Sequence, residues 1–167
     1  MTVSWISANE WANSKQREAV EAVWQADQLR LVSQALQEVG LQPLLVGGVV
    51  RDLFLGRPNK DVDLIVNCRA KKLMKMGVRL GKLTNATPVP LDKDRGTLRL
   101  CFASGEEVDL VSLQGESLWE DLERRDLRIN AMAIDSDGSL ADPFDGREDL
   151  RSGQLREIRA ENFREDP

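Results

Sequence analysis

The sequence predicts an α/β (α+β) domain with a mixed, mostly antiparallel sheet flanked by helices. Two observations carry this. Short apolar runs of strand length alternate with stretches whose apolar residues recur at three and four, as on one face of a helix. Two of the strand-like runs are separated only by Ser104-Gly105-Glu106, which makes a hairpin and not a helical crossover, so the sheet cannot be purely parallel. The composition agrees: 167 residues, 41% hydrophobic and 31% charged, lie within the globular class. A chain of this size buries roughly 70% of its unfolded surface in one core without staples.

In order, residues 1 to 25 carry Trp5, Trp11 and Trp24 without a clean period and read as an amino-terminal arm that packs by its aromatics; the domain proper runs from 26 to 167. Leu29, Val32, Leu36 and Val39 give a helix over 27–39, stopped by Gly40. Leu41 to Val46 is a strand, followed by two glycines and a short helix whose buried side is Val50, Leu53 and Phe54. Asp61 to Val66 is a second strand, and Leu73, Met76 and Leu80 mark a helix over 69–80. The hairpin strands are 97–103 and 107–113. A helix over 116–125, a strand over 128–134, a turn at Asp137-Gly138 and a short strand over 155–158 complete the chain.

Several chemistries are excluded. The chain has no histidine, and Cys68 and Cys101 stand alone, outside any CxxC pair, so zinc and histidine catalysis have no residues to work with. The start, MTVSWISANEW, has no basic segment leading into an apolar run, and nothing approaches the eighteen or so apolar residues of a membrane span. The expected location is therefore the cytoplasm, with no membrane partner. A net charge of -5 argues against a grip on nucleic acid over the whole surface. The basic run Arg69, Lys71, Lys72, Lys75, Arg79 and Lys82 reads first as a solvated helix face and second as a local RNA contact.

The chemistry-bearing constellation is Gly47-Gly48, opening a helix that carries Arg51, followed by Asp61-Val62-Asp63. Glycines let backbone amides approach a phosphate, a helix amino terminus favours an anion, and arginine grips phosphate oxygens in pairs. Alternate strand residues share a face, so Asp61 and Asp63 present two carboxylates with backbones about 7 Å apart. Carboxylate oxygens suit Mg²⁺, which takes further ligands from substrate phosphates; two such ions can activate a hydroxyl and steady pyrophosphate as it leaves. Leu64, Ile65 and Val66 follow, so burying two like charges beside them is costly without a cation.

The segment LLVGGVVRDLFLGRPNKDVDLIV resembles the signature of class II tRNA nucleotidyltransferases and bacterial poly(A) polymerases, of the polymerase-beta-like nucleotidyltransferase superfamily. DLERRDLRINAMAI, with DPFDGREDLRSGQLREI after it, is similar to the family's next motif, usually written RRDFTINAMA, and to the stretch beyond that motif. The likeness spans roughly residues 41 to 167, in order. It implies the polymerase-beta-like fold and a template-independent transfer of AMP or CMP from ATP or CTP to the 3′ end of tRNA or other RNA, with Mg²⁺ as cofactor. By position, Asp61 and Asp63 would hold the metal ions, and Gly47, Gly48 and Arg51 the triphosphate. Arg125 would add a phosphate or ribose contact, and Asp109 would be a third catalytic carboxylate polarising the primer hydroxyl. Read from the sequence alone, Asp109 is equally a polar residue on the outer face of a strand. Asp126 and Asn130 would order the turn at Arg124-Arg125-Asp126 through hydrogen bonds, and Arg124 reads as a solvated partner of Glu120 or Asp121 at helical spacing.

The end, ENFREDP, resembles the beginning of the family's EDxxR motif, in which an aspartate, here Asp166, and an arginine face the base of the nucleotide. The matching arginine is not in the sequence, nor are the helical neck, body and tail, so the expectation is a catalytic head that is a fragment or one subunit of a split enzyme. Half a base reader discriminates ATP from CTP poorly. Three functions are compatible with these residues: a head active in tRNA CCA addition or polyadenylation, a nucleotide-binding module that needs a separate helical RNA-binding chain, and transfer to a small molecule such as an aminoglycoside.

Overall fold

Leu64, Ile65 and Val66 are all fully buried, which only a strand covered on both faces allows, and the sheet is organised around them. The computed structural model describes residues 1–58 and 62–162. In chain order the elements are β1 (Trp5–Ile6), α1 (Ala8–Trp11), α2 (Ser14–Gln25), α3 (Asp27–Glu38), β2 (Pro43–Val46), α4 (Gly48–Leu55), β3 (Asp63–Val66) and α5 (Ala70–Thr84). Then come β4 (Thr87–Asp92), β5 (Thr97–Cys101), β6 (Glu107–Ser112), α6 (Leu118–Glu123), a 3-10 turn (Arg128–Asn130), β7 (Ala133–Ile134), β8 (Leu140–Ala141) and α7 (Gly146–Ser152).

Among the described residues eight strands form one sheet in the order β1-β8-β7-β2-β3-β6-β5-β4. Every neighbouring pair is antiparallel except β3 and β6, which is the mixed, mostly antiparallel sheet that the hairpin predicted. One face packs on α3 and α5 through Leu64, Val66, Leu98, Leu100 and Leu110 against Leu36, Leu73 and Leu80. On the other face Val46, Ile65, Ala133 and Ala141 pack with Leu122 of α6. By alternation Asp63, Asp109 and Arg99 lie on this second face, which the helices cover only in part.

Local chemistry explains the element ends. The α3 helix stops where Gly40 takes φ +72 and the Leu41 amide donates to the Leu36 carbonyl, the closing bond of a glycine-terminated helix. The α2 helix starts in a capping box in which Asn13 and Gln16 accept from each other's backbone amides, and α1 starts in one made by Ser7 and Glu10. The hairpin of β5 and β6 forms in register, Thr97 opposite Val111 and Cys101 opposite Glu107.

Six elements depart from the sequence reading, β8 and α7 among them, which it did not contain. Residues 1–25 contain two helices and a strand; Trp11 and Trp24 donate indole hydrogen bonds to the Gly138 and Asp135 carbonyls at 2.9 and 3.0 Å, so these two aromatics do anchor the segment. The segment 128–134 is not one strand, because Asn130 is drawn into a 3-10 turn in which its amide bonds the Leu127 carbonyl; pairing begins only at Ala133. Residues 155–158 make a single bridge, Leu127 to Glu157, in place of a strand. The β4 strand has no counterpart in the sequence reading; Pro88 and Pro90 are tolerated in it because it forms at the sheet's edge, where a missing amide donor costs no ladder bond. The basic run lies on α5 with Lys71, Lys72, Lys75, Arg79 and Lys82 all exposed and Arg79 paired to Glu38, the solvated face expected. No described helix is long and apolar enough to cross a membrane.

Candidate active site

Gly47 closes β2 with φ +70 and ψ -132, a conformation side chains resist, and a Cβ there would stand 3.0 Å from Nη1 of Arg125. Seventy-odd residues apart in sequence, the diglycine turn and the double-arginine turn are thus in contact. The α4 helix begins at Gly48, leaving its first backbone amides without helical partners at the mouth of the turn. One turn in, Arg51 donates from Nη1 to Asn130 Oδ1 at 3.0 Å and from Nε to Asp52 Oδ1 at 2.9 Å.

The turn after α6 completes the other wall. Arg125 is held by long contacts only, 3.4 Å to the Asn130 carbonyl and 3.4 Å to Asp121 Oδ2, and its buried Nε has no partner among the described residues. A buried guanidinium donor left unfilled is what an anionic ligand satisfies. Asp126 Oδ1 accepts from the Leu127 amide and from Asn130 Nδ2, so Asp126 and Asn130 order the turn as expected. Arg124 differs: it is exposed and makes no ion pair among the described residues. The reason is that Asp121 faces Arg125 and the Gln114 amide, while Glu120 accepts from the Glu116 amide.

These groups line one cleft of about 430 Å³ that includes Gly47, Gly48, Arg51, Asp63, Arg125 and Asn130. Asp63 is exposed at the first position of β3, so the burial cost expected of two aspartates does not arise for this one. Directly beside it in the parallel register is Asp109 of β6. Asp109 is gripped by Arg99 on β5, Nε to Oδ1 at 2.7 Å and Nη2 to Oδ2 at 2.8 Å, and the same guanidinium reaches Glu107 at 2.7 Å. The hydrogen bonds that Arg99 donates to Asp109, and the charge of that carboxylate, push the Arg99 guanidinium above its ordinary range. Asp61 and Asp166, both read from the sequence as site residues, lie outside the described residues.

Four contributors escaped the sequence reading. Asp121 is buried and ties the β6–α6 connection to Arg125; Gln114 lines the same cleft; Asn162 donates from Nδ2 to the Glu123 and Arg125 carbonyls at 2.8 Å each; Arg99 clamps Asp109. None had a legible signal: joined across Ser104-Gly105-Glu106 the two strands would put Arg99 opposite Val111, and the observed pairing of Phe102 with Glu106 puts it opposite Asp109. Behind the turn, the Arg128 amide bonds the Arg156 carbonyl, the Ile158 amide bonds the Asp126 carbonyl, and Arg156 reaches fully buried Asp149 at 3.1 Å. The second oxygen of Asp149 has no partner among the described residues. Asp149→Ala removes a buried charge whose partner is half exposed and can rehydrate, so a loss of about 2 kcal/mol is expected in urea unfolding, below the cost of orphaning a fully buried ion.

Residues 44–156 match the family model described as the poly A polymerase head domain. The CC-adding tRNA nucleotidyltransferase of Synechocystis sp. is 40% identical over 129 residues, 75% of this chain and 30% of that protein. A solved CCA-adding enzyme with CTP superposes with a TM-score of 0.72 at 27% identity, covering 100% of this chain and 39% of that one. The Thermotoga maritima CCA-adding enzyme complexed with tRNA gives 0.73 at 28%, with 100% and 39% covered. The chain thus spans about a third of the length of such relatives. Nucleotidyltransferases of this kind generally use divalent metal ions. The exposed carboxylate of Asp63 beside that of Asp109 is an all-oxygen donor set that fits a hard divalent cation. Sheet order, cleft and sequence match agree, and the chain belongs to the poly(A) polymerase head-domain family, among the relatives of the CCA-adding tRNA nucleotidyltransferases.

Proposed function

We propose that this chain is the catalytic head of a template-independent RNA nucleotidyltransferase that adds CMP, AMP or both to the 3′ end of tRNA, using CTP or ATP with Mg²⁺ in the cytoplasm. One observation carries the reading: the arginine-lined phosphate wall and Asp63 line the same cleft, with Asp109 beside Asp63 in register on the neighbouring strand. Arg51 is pre-aimed by Asn130, and the Arg125 guanidinium is held only by contacts of 3.4 Å, so both can turn to triphosphate oxygens as a wall of positive charge. The Gly47-Gly48 amides and the start of α4 add uncharged donors to the same anion.

Asp63, with Asp61 two residues earlier in the sequence, is assigned to holding the metal ions, whose chemistry when bound is to polarise the α-phosphate and lower the pKa of the RNA hydroxyl. Asp109, in register with Asp63, is assigned to sharing the metal site and polarising the RNA 3′-hydroxyl, whose proton passes to water as the oxygen bonds to the α-phosphorus. The bond from that phosphorus to the β-phosphate bridge breaks on the opposite side, and pyrophosphate leaves along the arginine wall. Asp166 is assigned to the base of the nucleotide. With a net charge of -5, this piece is poorly suited to holding an RNA body, so the bulk of tRNA binding is assigned to a separate helical part.

The test is incubation of the chain with labelled CTP or ATP, Mg²⁺ and tRNA lacking its 3′ end. Template-independent extension of that end, in the presence of the helical part if not alone, is the expected result. Turnover on an aminoglycoside with none on any RNA would overturn it.

A further inference from the structure

Building on the metal-site reading above, the geometry points to Arg99 as a resident counter-ion that competes with the metal ion for Asp109, so that cation binding stays weak until the nucleotide's triphosphate arrives. Arg99 is a positioning residue in this scheme and touches no reacting atom.

Three strands place Asp63, Asp109 and Arg99 in a row on one face, Asp63 opposite Asp109 and Asp109 opposite Arg99. Two carboxylates directly opposite one another on neighbouring strands repel, and some cation has to relieve them. One is already built in. The Arg99 fork takes both oxygens of Asp109 at 2.7 and 2.8 Å, and its remaining nitrogen is tied to Glu107 at 2.7 Å, so the guanidinium is fixed from two sides. A planar fork of this kind occupies the lone pairs that face it and leaves the carboxylate only its lateral ones. A metal ion held by Asp63 and Asp109 would therefore meet a poorer ligand in Asp109 and a positive charge just across that carboxylate. A triphosphate brings oxygen ligands and several negative charges, which shift the balance toward the metal.

Mn²⁺ binding to the 167-residue chain, followed by electron paramagnetic resonance without nucleotide and again with CTP, tests this. Arg99→Gln removes the competing charge and frees both oxygens; at the short distances involved, losing the repulsion between a monovalent and a divalent cation should tighten nucleotide-free Mn²⁺ binding about tenfold. The gain should disappear when Asp109→Asn is added, and it should shrink with CTP present. Arg99→Thr, suited to an exposed strand position, is the second variant and carries the same expectation should the glutamine variant fail to fold. Unchanged or weaker Mn²⁺ binding on loss of the arginine would make Arg99 an ordinary cross-strand strut and overturn the proposal, as would a gain that survives loss of the Asp109 charge. Asp63→Asn separates the two layers: if it leaves Mn²⁺ binding intact in the otherwise native chain, the metal site itself is misplaced.

Discussion

Asp63→Asn will leave the chain folded and deprive it of metal-coupled nucleotide binding, with nucleotide transfer falling about a thousandfold, since metal-borne charge stabilisation contributes several kcal/mol and each 1.36 is a factor of ten. The substitution keeps size and polarity and removes one charge. Because Asp63 is exposed at the first position of β3, the substitution opens no cavity and the fold is expected to stand. The pairing of an unharmed fold with an abolished site separates a functional carboxylate from a structural one. Calorimetric titration of CTP with and without Mg²⁺ is the measurement, and a metal-dependent binding isotherm identical to that of the native chain would remove Asp63 from the site.

Gly47→Ala attacks the other wall, and here fold and site are both affected. The backbone conformation at φ +70 and ψ -132 is close to glycine-only, and forcing a side chain into it costs about 1–3 kcal/mol. The new methyl would also stand 3.0 Å from Arg125 Nη1. Arg125 is held by two contacts of 3.4 Å, so it gives way before the strand does. A guanidinium displaced by even part of an ångström no longer meets the phosphate, and about a hundredfold loss of transfer is expected, because misplacing a binding group costs that much. Lowered stability with native affinity for CTP would show that Arg125 is not in the phosphate grip.

What the sequence made legible was the part of the site written in contiguous motifs. The diglycine turn, Arg51, Asp63 and the double-arginine turn each carry their signal within a few residues, and the fold brings them to one cleft. What it hid were relations between strands. The row from Asp63 through Asp109 to Arg99 depends on a parallel pairing of β3 with β6 that no local pattern announces. Asn162 acts by bonding two carbonyls nearly forty residues earlier, and a single asparagine near the end of a chain has no period to betray it. Where local rules misled, the cause is specific. The segment RINAMAI has the composition of a strand, but Asn130 is committed to Arg51 and Asp126, and those bonds win over the ladder. The β4 strand, which the sequence reading did not contain, carries two prolines that its edge position tolerates.

The placement of β1 bears on how the domain is made. Its partners, Leu140 and Ala141, are among the last strand residues to be synthesised, whereas β4, β5 and β6 pair only with strands close by in the chain or already present. On the ribosome the meander can close early, but Trp5 and Ile6 must wait, unpaired, until Leu140 and Ala141 have emerged. A bulky group placed directly before Trp5 would therefore burden that late pairing.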